Sequence, residues 1–410
     1  MKVLMFGWEF APVYSGGLGV ACAGLTKGLV NNGAKITFVI PKKVNNPDCH
    51  VNLVSAAEMM ENVKTFKKIN INSPLTPYMT CQSYSKEYSS ISSKKSKKGE
   101  YSDNLYGKNL FDEVHRYAET AKEIAEQEQF EVIHAHDWMT FKAGINAKKK
   151  SKKPLIVHVH ATEFDRTGGN GVNQQVYDIE REGMHHADKV ITVSNFTKNM
   201  AVKHYGINPD KIEVVHNAID LEDYYVESPK LSDKDKIVLF LGRITLQKGP
   251  DYFVQMAKKV SEAIPEAKFI VAGSGDMEMK MIMQAAEAGI GDKMLFAGFL
   301  RGDDIIKAYR MADVYVMPSV SEPFGLTPLE AIKNGTPTII SKQSGVSEIL
   351  ENTIKIDFWD IDKMSNMVAG ILKYPLARQE MSEQGLREVR KINWDASARK
   401  VMDIYNKVKI

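Results

Sequence analysis

Cysteine is scarce in this chain, with three residues in 410, at Cys22, Cys49 and Cys81. Their spacing makes neither a disulfide framework nor a set of metal ligands, and it suits a reducing compartment. A surplus of one charge sign is also lacking. The formal net charge of +3 leaves nucleic acid without an electrostatic argument as a partner. No apolar run approaches the ~20 residues of a membrane span. The short apolar start is broken by Glu9 and Pro12 and makes a poor leader peptide. A cytoplasmic protein is expected. The length, 410 residues, is enough for two or three domains with cores of their own.

Short β-branched, apolar runs alternate with helical patterns almost throughout. Strands are expected at 2–7, 35–40, 132–135, 155–160, 190–193 and 213–216, then at 237–241, 269–272, 294–296, 314–317 and 338–340. Apolar strands separated by helices argue for parallel sheets covered on both faces. Both halves carry the pattern, so the expected fold class is α/β with two doubly wound domains. The first spans 1–218 and the second 219–392, divided near the polar stretch 217–235. Residues 84–104, rich in Ser, Lys and Tyr, read as a surface loop. The lysine runs at 94–98 and 148–153 leave weak peripheral contact with anionic lipid open, although a solvated surface is the plainer account.

The segment 321–330, Ser-Glu-Pro-Phe-Gly-Leu-Thr-Pro-Leu-Glu, follows an apolar strand and opens a helical pattern that runs to Asn334 and Gly335. A strand end, a glycine turn and a helix N-terminus bring backbone N–H groups to one spot, bracketed by the carboxylates of Glu322 and Glu330. Donors for an anion beside carboxylates for hydroxyls suit a nucleotide-sugar. Near the start, Gly16-Gly17-Leu18-Gly19 precedes a helix and lets backbone approach a ligand, without matching the dinucleotide fingerprint. In the second half Arg243 and Lys248 follow the first strand, where open α/β sheets place ligands. Cations at a helix start oppose its dipole, so a bound diphosphate explains them better than surface charge does. His185 and His186 read as helix-end residues. Asp360-Ile-Asp362 reads as a helix cap, and no metal is expected.

Taken together, Gly16-Gly17-Leu18, His134-Ala-His136-Asp137-Trp138, His158-Val-His160, Gly242-Arg243, Lys248-Gly249, Gly273-Ser-Gly275 and the Glu322 to Glu330 segment resemble the GT-B glycosyltransferases. The resemblance is to the retaining family 4 enzymes and the related glycogen and starch synthases of family 5. It implies two Rossmann-like domains facing across a cleft, with acceptor on the first and nucleotide-sugar on the second. The C-terminal helix, 393–410, would cross back to the first domain. Arg243 and Lys248 would neutralise the diphosphate, Glu330 would bind ribose, and Glu322 would sit by the anomeric centre. Backbone at Gly325, Leu326, Thr327 and Gly17 would contact phosphate and sugar. His160 would reach the sugar or reacting centre, and Asp137 the acceptor side or the sugar. His134, His136 and His158 show that not every histidine here can be catalytic. No cofactor is implied beyond the nucleotide-sugar substrate.

Departures from the family pattern matter. Tyr14 stands where family 5 carries a lysine, and starch-type bacterial synthases lack the carboxylate that Glu330 supplies. The chain thus lies between the families, nearer family 4, with a glucosyl donor and a carbohydrate acceptor expected. A lipid-linked acceptor, a nucleotide-sugar 2-epimerase and a non-catalytic carbohydrate-binding protein are the alternatives.

Overall fold

The computed structural model describes residues 1–11, 16–41, 49–56, 110–169, 171–221 and 235–409. Tyr14, the 84–104 loop with its lysine run, and most of the 217–235 link lie outside them. Apolar runs buried on both faces form two parallel sheets. The first contains β1 (Lys2–Phe6), β2 (Lys35–Ile40), β3 (Asn52–Ser55), β4 (Val132–His136), β5 (Leu155–Val159), β6 (Lys189–Thr192) and β7 (Ile212–Val214), in the order 3-2-1-4-5-6-7. The second contains β8 (Lys236–Leu241), β9 (Ala267–Ala272), β10 (Met294–Gly298), β11 (Val314–Met317), β12 (Thr338–Ser341) and β13 (Ile354–Ile356), in the order 10-9-8-11-12-13. Every strand expected from the sequence is present to within two residues at either end. The outermost strands β3 and β13 are additions.

Both orders reverse direction once, between β1 and β4 and between β8 and β11. Loops leaving the C-terminal ends of such a pair diverge to opposite faces and open a crevice, where doubly wound sheets bind their ligands. One face of the first sheet packs against the helices Leu110–Gln127, Trp138–Ser151 and Gln174–His186. Its other face is covered by Gly17–Asn31 and by the C-terminal helix Trp394–Val408, which comes back from the second domain. Small residues make that return close. A Cβ added at Gly24 would stand 2.2 Å from the Trp394 indole, and one at Gly28 would stand 2.6 Å from the Trp394 carbonyl oxygen. Asn393 caps the helix by accepting from the Ala396 amide at 2.9 Å.

The two domains also meet at the helix Asn195–Tyr205. Glu348 of the second domain accepts from the amides of Asn195 at 2.9 Å and Phe196 at 2.7 Å. A carboxylate there satisfies unpaired N–H groups and complements the helix dipole. His216 bonds the same carboxylate at 2.9 Å. No described helix is long and apolar enough to cross a membrane.

Trp394 is the largest apolar group at the C-terminal helix's junction with Gly17–Asn31, and it is 8% exposed. Trp394→Ala should cost roughly 3–5 kcal/mol, read by chemical denaturation. A loss below about 1 kcal/mol would mean the helix docks without it.

Candidate active site

The second domain supplies a cation, a carboxylate and a helix end. β8 stops at Leu241, and Arg243 follows, its Nη2 donating to Gln247 Oε1 at 3.0 Å. Lys248 ends a single 3-10 turn, Leu246–Lys248, and its ammonium is bonded to the Glu322 carboxylate. Glu322, 7% exposed, also accepts from Ser319 Oγ at 3.3 Å. Three residues on, Gly325 has φ of +101°, which admits a side chain only with strain, and it starts the helix Leu326–Lys333. The first turn leaves the amides of Gly325, Leu326 and Thr327 directed out of the helix end.

Two tyrosines that the sequence reading did not single out stiffen this end. Tyr315 donates to Thr327 Oγ1 at 2.8 Å, and Tyr309 donates to Glu330 Oε2 at 2.9 Å. Burial pushes the Glu330 carboxyl up, against the lowering effect of the Tyr309 bond and of the Lys333 and Lys248 charges. Gly273 and Gly275 are explained by packing. A Cβ at either would collide with the carbonyl oxygen of Gly242 or of Ile244, at 1.8 and 2.1 Å.

The first domain contributes the loops after β1, β4 and β5. Asp137 stands at the N-cap position of the helix Trp138–Ser151, without a side-chain bond to that helix, and has φ of +60°, a costly conformation for a non-glycine residue. Its Oδ1 accepts from the amides of His160 at 2.7 Å and Ala161 at 3.3 Å. At 1% exposure Asp137 therefore pins the β5 exit in place, with Arg166 3.9 Å from its other oxygen. His160 is half-buried, and its Nε2 lies 3.0 Å from His136 Nδ1. Burial pulls its pKa down, with the Asp137 charge opposing.

Alternation along β4 and β5 puts His134, His136 and His158 on the same sheet face. All three are buried and stacked, with ring centroids 4.2 to 5.4 Å apart. Burial pulls His134 down to about 3 and the other two well below the usual range, so the stack is neutral. The C-terminal helix closes its far end through Tyr405, whose hydroxyl is 2.6 Å from His134 Nδ1. Of these histidines only His160 is not fully buried.

One further group was missed. Glu9, just past β1, is 3% exposed, and its carboxyl is pushed up to about 7 by burial. The Gly19 amide and the Arg243 charge from the other domain oppose that rise, and the Asp137 charge adds to it. A Cβ at Gly16 would lie 2.4 Å from Glu9 Oε2, so a larger residue there would displace the Glu9 carboxyl. A Cβ at Gly17 would meet nothing within 4 Å, so the chain's own packing does not require glycine at that position. Asp360 caps the helix Ile361–Lys373 by accepting from the Lys363 amide at 3.1 Å, as expected, and His185 and His186 end the helix Gln174–His186.

Two family profiles match the chain, Glycosyltransferase Family 4 over residues 101–223 and Glycosyl transferases group 1 over residues 223–388. The chain is 29% identical to an uncharacterized glycosyltransferase of Methanocaldococcus jannaschii, over 99% of this chain and 98% of that protein. It is 25% identical to a glycogen synthase of Mycobacterium tuberculosis, over 67% of this chain and 68% of the relative. Among solved structures, sucrose-phosphate synthase from Thermosynechococcus elongatus aligns with TM-score 0.75 and 18% identity, covering 99% of this chain and 98% of that one. Anabaena HepE in complex with UDP and glucose aligns with TM-score 0.68 and 15% identity, covering 99% and 100%.

The Glu9 carboxyl predicts a pH dependence of stability. Its pKa rises from 4.5 to about 7 on folding, so the native state holds the proton more tightly than the unfolded chain. Stability is therefore lost as pH rises from about 4.5 through about 7, by roughly 3 kcal/mol at most. Glu9→Gln should leave stability near its wild-type value at pH 4.5 and exceed it at pH 8, in denaturation series at both pH values. An equal difference at the two pH values would contradict the assignment.

Proposed function

Because the chain belongs to the group 1 glycosyltransferases of family 4 and has their GT-B architecture, it is a transferase of glycosyl groups, and we propose a retaining enzyme that moves a glucosyl group from a nucleoside diphosphate sugar to a glucan-like carbohydrate acceptor. The observation that carries this reading is the Lys248–Glu322 pair beside the helix end at Gly325. A cation suited to phosphate and a carboxylate suited to sugar hydroxyls are held against each other, with the Lys248 charge also felt at Glu330.

In this reading the diphosphate draws the Lys248 ammonium and the Arg243 guanidinium, which frees Glu322 for the sugar. The bond from the anomeric carbon to the phosphate oxygen breaks, and the two cations offset the charge gathering on the leaving group. This positive charge comes from side chains, so the reading is metal-independent. Glu322 stabilises positive charge at the anomeric carbon. The acceptor hydroxyl attacks from the face the phosphate leaves, and its proton passes to the departing phosphate oxygen. Glu330 takes the ribose hydroxyls, and the amides of Leu326 and Thr327 take phosphate. Gly17 offers open space for backbone to approach the donor from the other domain. His160, neutral at pH 7, reaches the sugar, and Asp137 positions it through the amide bond.

A glucan-like acceptor is preferred because His136-Asp137-Trp138 and the 322–327 segment sit close to the glycogen synthase version, and a glycogen synthase is among the relatives. Nucleoside diphosphate release from a panel of donors, with and without sugars and glucans, tests the reading. Arg243→Ala and Lys248→Ala should each lower turnover at least about tenfold with the fold intact. Near-normal turnover in both would move the diphosphate elsewhere. Glu330→Ala should act mainly on donor affinity.

A further inference from the structure

The donor-site carboxylate is flanked on both sides by hydrogen bonds from the opposite domain. Ser321, one residue before Glu322, donates to Asp165 Oδ1 at 2.6 Å. Pro323, one residue after it, accepts from Ser194 Oγ at 2.6 Å and Thr197 Oγ1 at 3.3 Å. Asp165, Ser194, Thr197 and Ser321 are all buried. Within its own domain the Glu322 backbone makes two bonds, its N–H donating to the Gln343 carbonyl and its carbonyl accepting from the Gly345 amide, both at 2.9 Å, while its carboxylate is bonded to Lys248 and Ser319.

The first-domain groups are themselves rigidly held. Asp165 Oδ2 accepts from the Thr162 amide at 2.8 Å and the Thr162 hydroxyl at 2.7 Å, in a capping box. The short helix that Thr162 caps, Glu163–Arg166, starts three residues after His160. The neighbouring Arg166 is buried against Glu180 at 2.7 Å and the Ala161 carbonyl oxygen at 2.9 Å. Ser194 caps the helix Asn195–Tyr205 through the Thr197 amide at 3.0 Å. Neither anchor moves without disturbing a buried network.

We propose that Asp165 and Ser194 are positioning residues that clamp the Ser321–Pro323 turn from the acceptor-side domain, so that Glu322 takes its working position only when the domains are together. The clamp rests on the transferase reading for its effect on rate. It couples the arrival of the acceptor-side domain to completion of the donor site, and an open cleft leaves the donor without a correctly placed carboxylate. Misplacing a reacting group by about 1 Å typically costs on the order of 100-fold in rate.

The test uses full-length Ser321→Ala, Ser321→Thr and Glu322→Ala, alone and combined. Ser321→Ala should lower kcat between about ten- and a hundredfold while changing donor affinity less than about twofold. Ser321→Thr, which keeps the hydroxyl, should restore most of the rate. In the Glu322→Ala background Ser321→Ala should add nothing, because the pair acts through one carboxylate. Unchanged kcat, or a full additional loss in that background, overturns the proposal. Amide hydrogen exchange across 319–325, measured without substrate, should quicken in Ser321→Ala and Ser194→Ala. Unchanged exchange there overturns the clamp, whatever the activity. A wild type inert toward every donor sinks the transferase reading instead and leaves the exchange result to decide the clamp.

Discussion

Everything at the cleft depends on the direction of the strands. In both sheets all strands run parallel, so every loop at one edge leaves from a strand's C-terminal end. The reversals at β1/β4 and β8/β11 then bring together residues far apart in the chain. Glu9 and Gly16 come from the exit of β1, Asp137 from that of β4 and His160 from that of β5. Arg243 and Lys248 follow β8, and Ser319 to Glu322 follow β11. The same topology, used twice, turns two sets of loops toward one space.

Burial decides what those groups can do. Glu9, Glu330 and Asp165 sit where solvent does not stabilise a charge, and each carboxyl is pushed up accordingly. Glu322 and Lys248 instead face each other, so a largely buried ion pair stands at the proposed donor site. A buried pair is a weak source of stability, because desolvation cancels much of the attraction. Its arrangement makes better sense as a site held ready for a charged ligand. On the acceptor side the histidine stack behaves differently. Three imidazoles are kept neutral inside the sheet, and the fourth, His160, is left at its edge.

Much of this was legible in the sequence because apolar strand runs and glycine turns are local signals. The strands β8 and β11, the turn at Gly325 and the helix after it all follow from a dozen consecutive residues each. The edge strands β3 and β13 were not legible, being short and only partly buried, with polar or charged residues such as Asn52 and Lys355 among them. Glu9 looked like a break in an apolar start, since nothing in its spacing marks a carboxylate as buried. Asp165 and Ser321 lie 156 residues apart, and the Tyr309–Glu330 bond spans 21. Such pairs are set by tertiary packing, which no periodicity encodes. Asp137 was visible as a motif residue, but its bonds to the His160 and Ala161 amides became apparent only in three dimensions.

The central claim is transfer with retention in a cleft assembled by both domains. The most direct measurement is proton NMR of the first product formed from an α-configured nucleoside diphosphate glucose and a glucan acceptor. The account predicts a new α-glycosidic linkage with stoichiometric release of the nucleoside diphosphate. A β-linkage, or an epimerised donor with no glycoside formed, would contradict it.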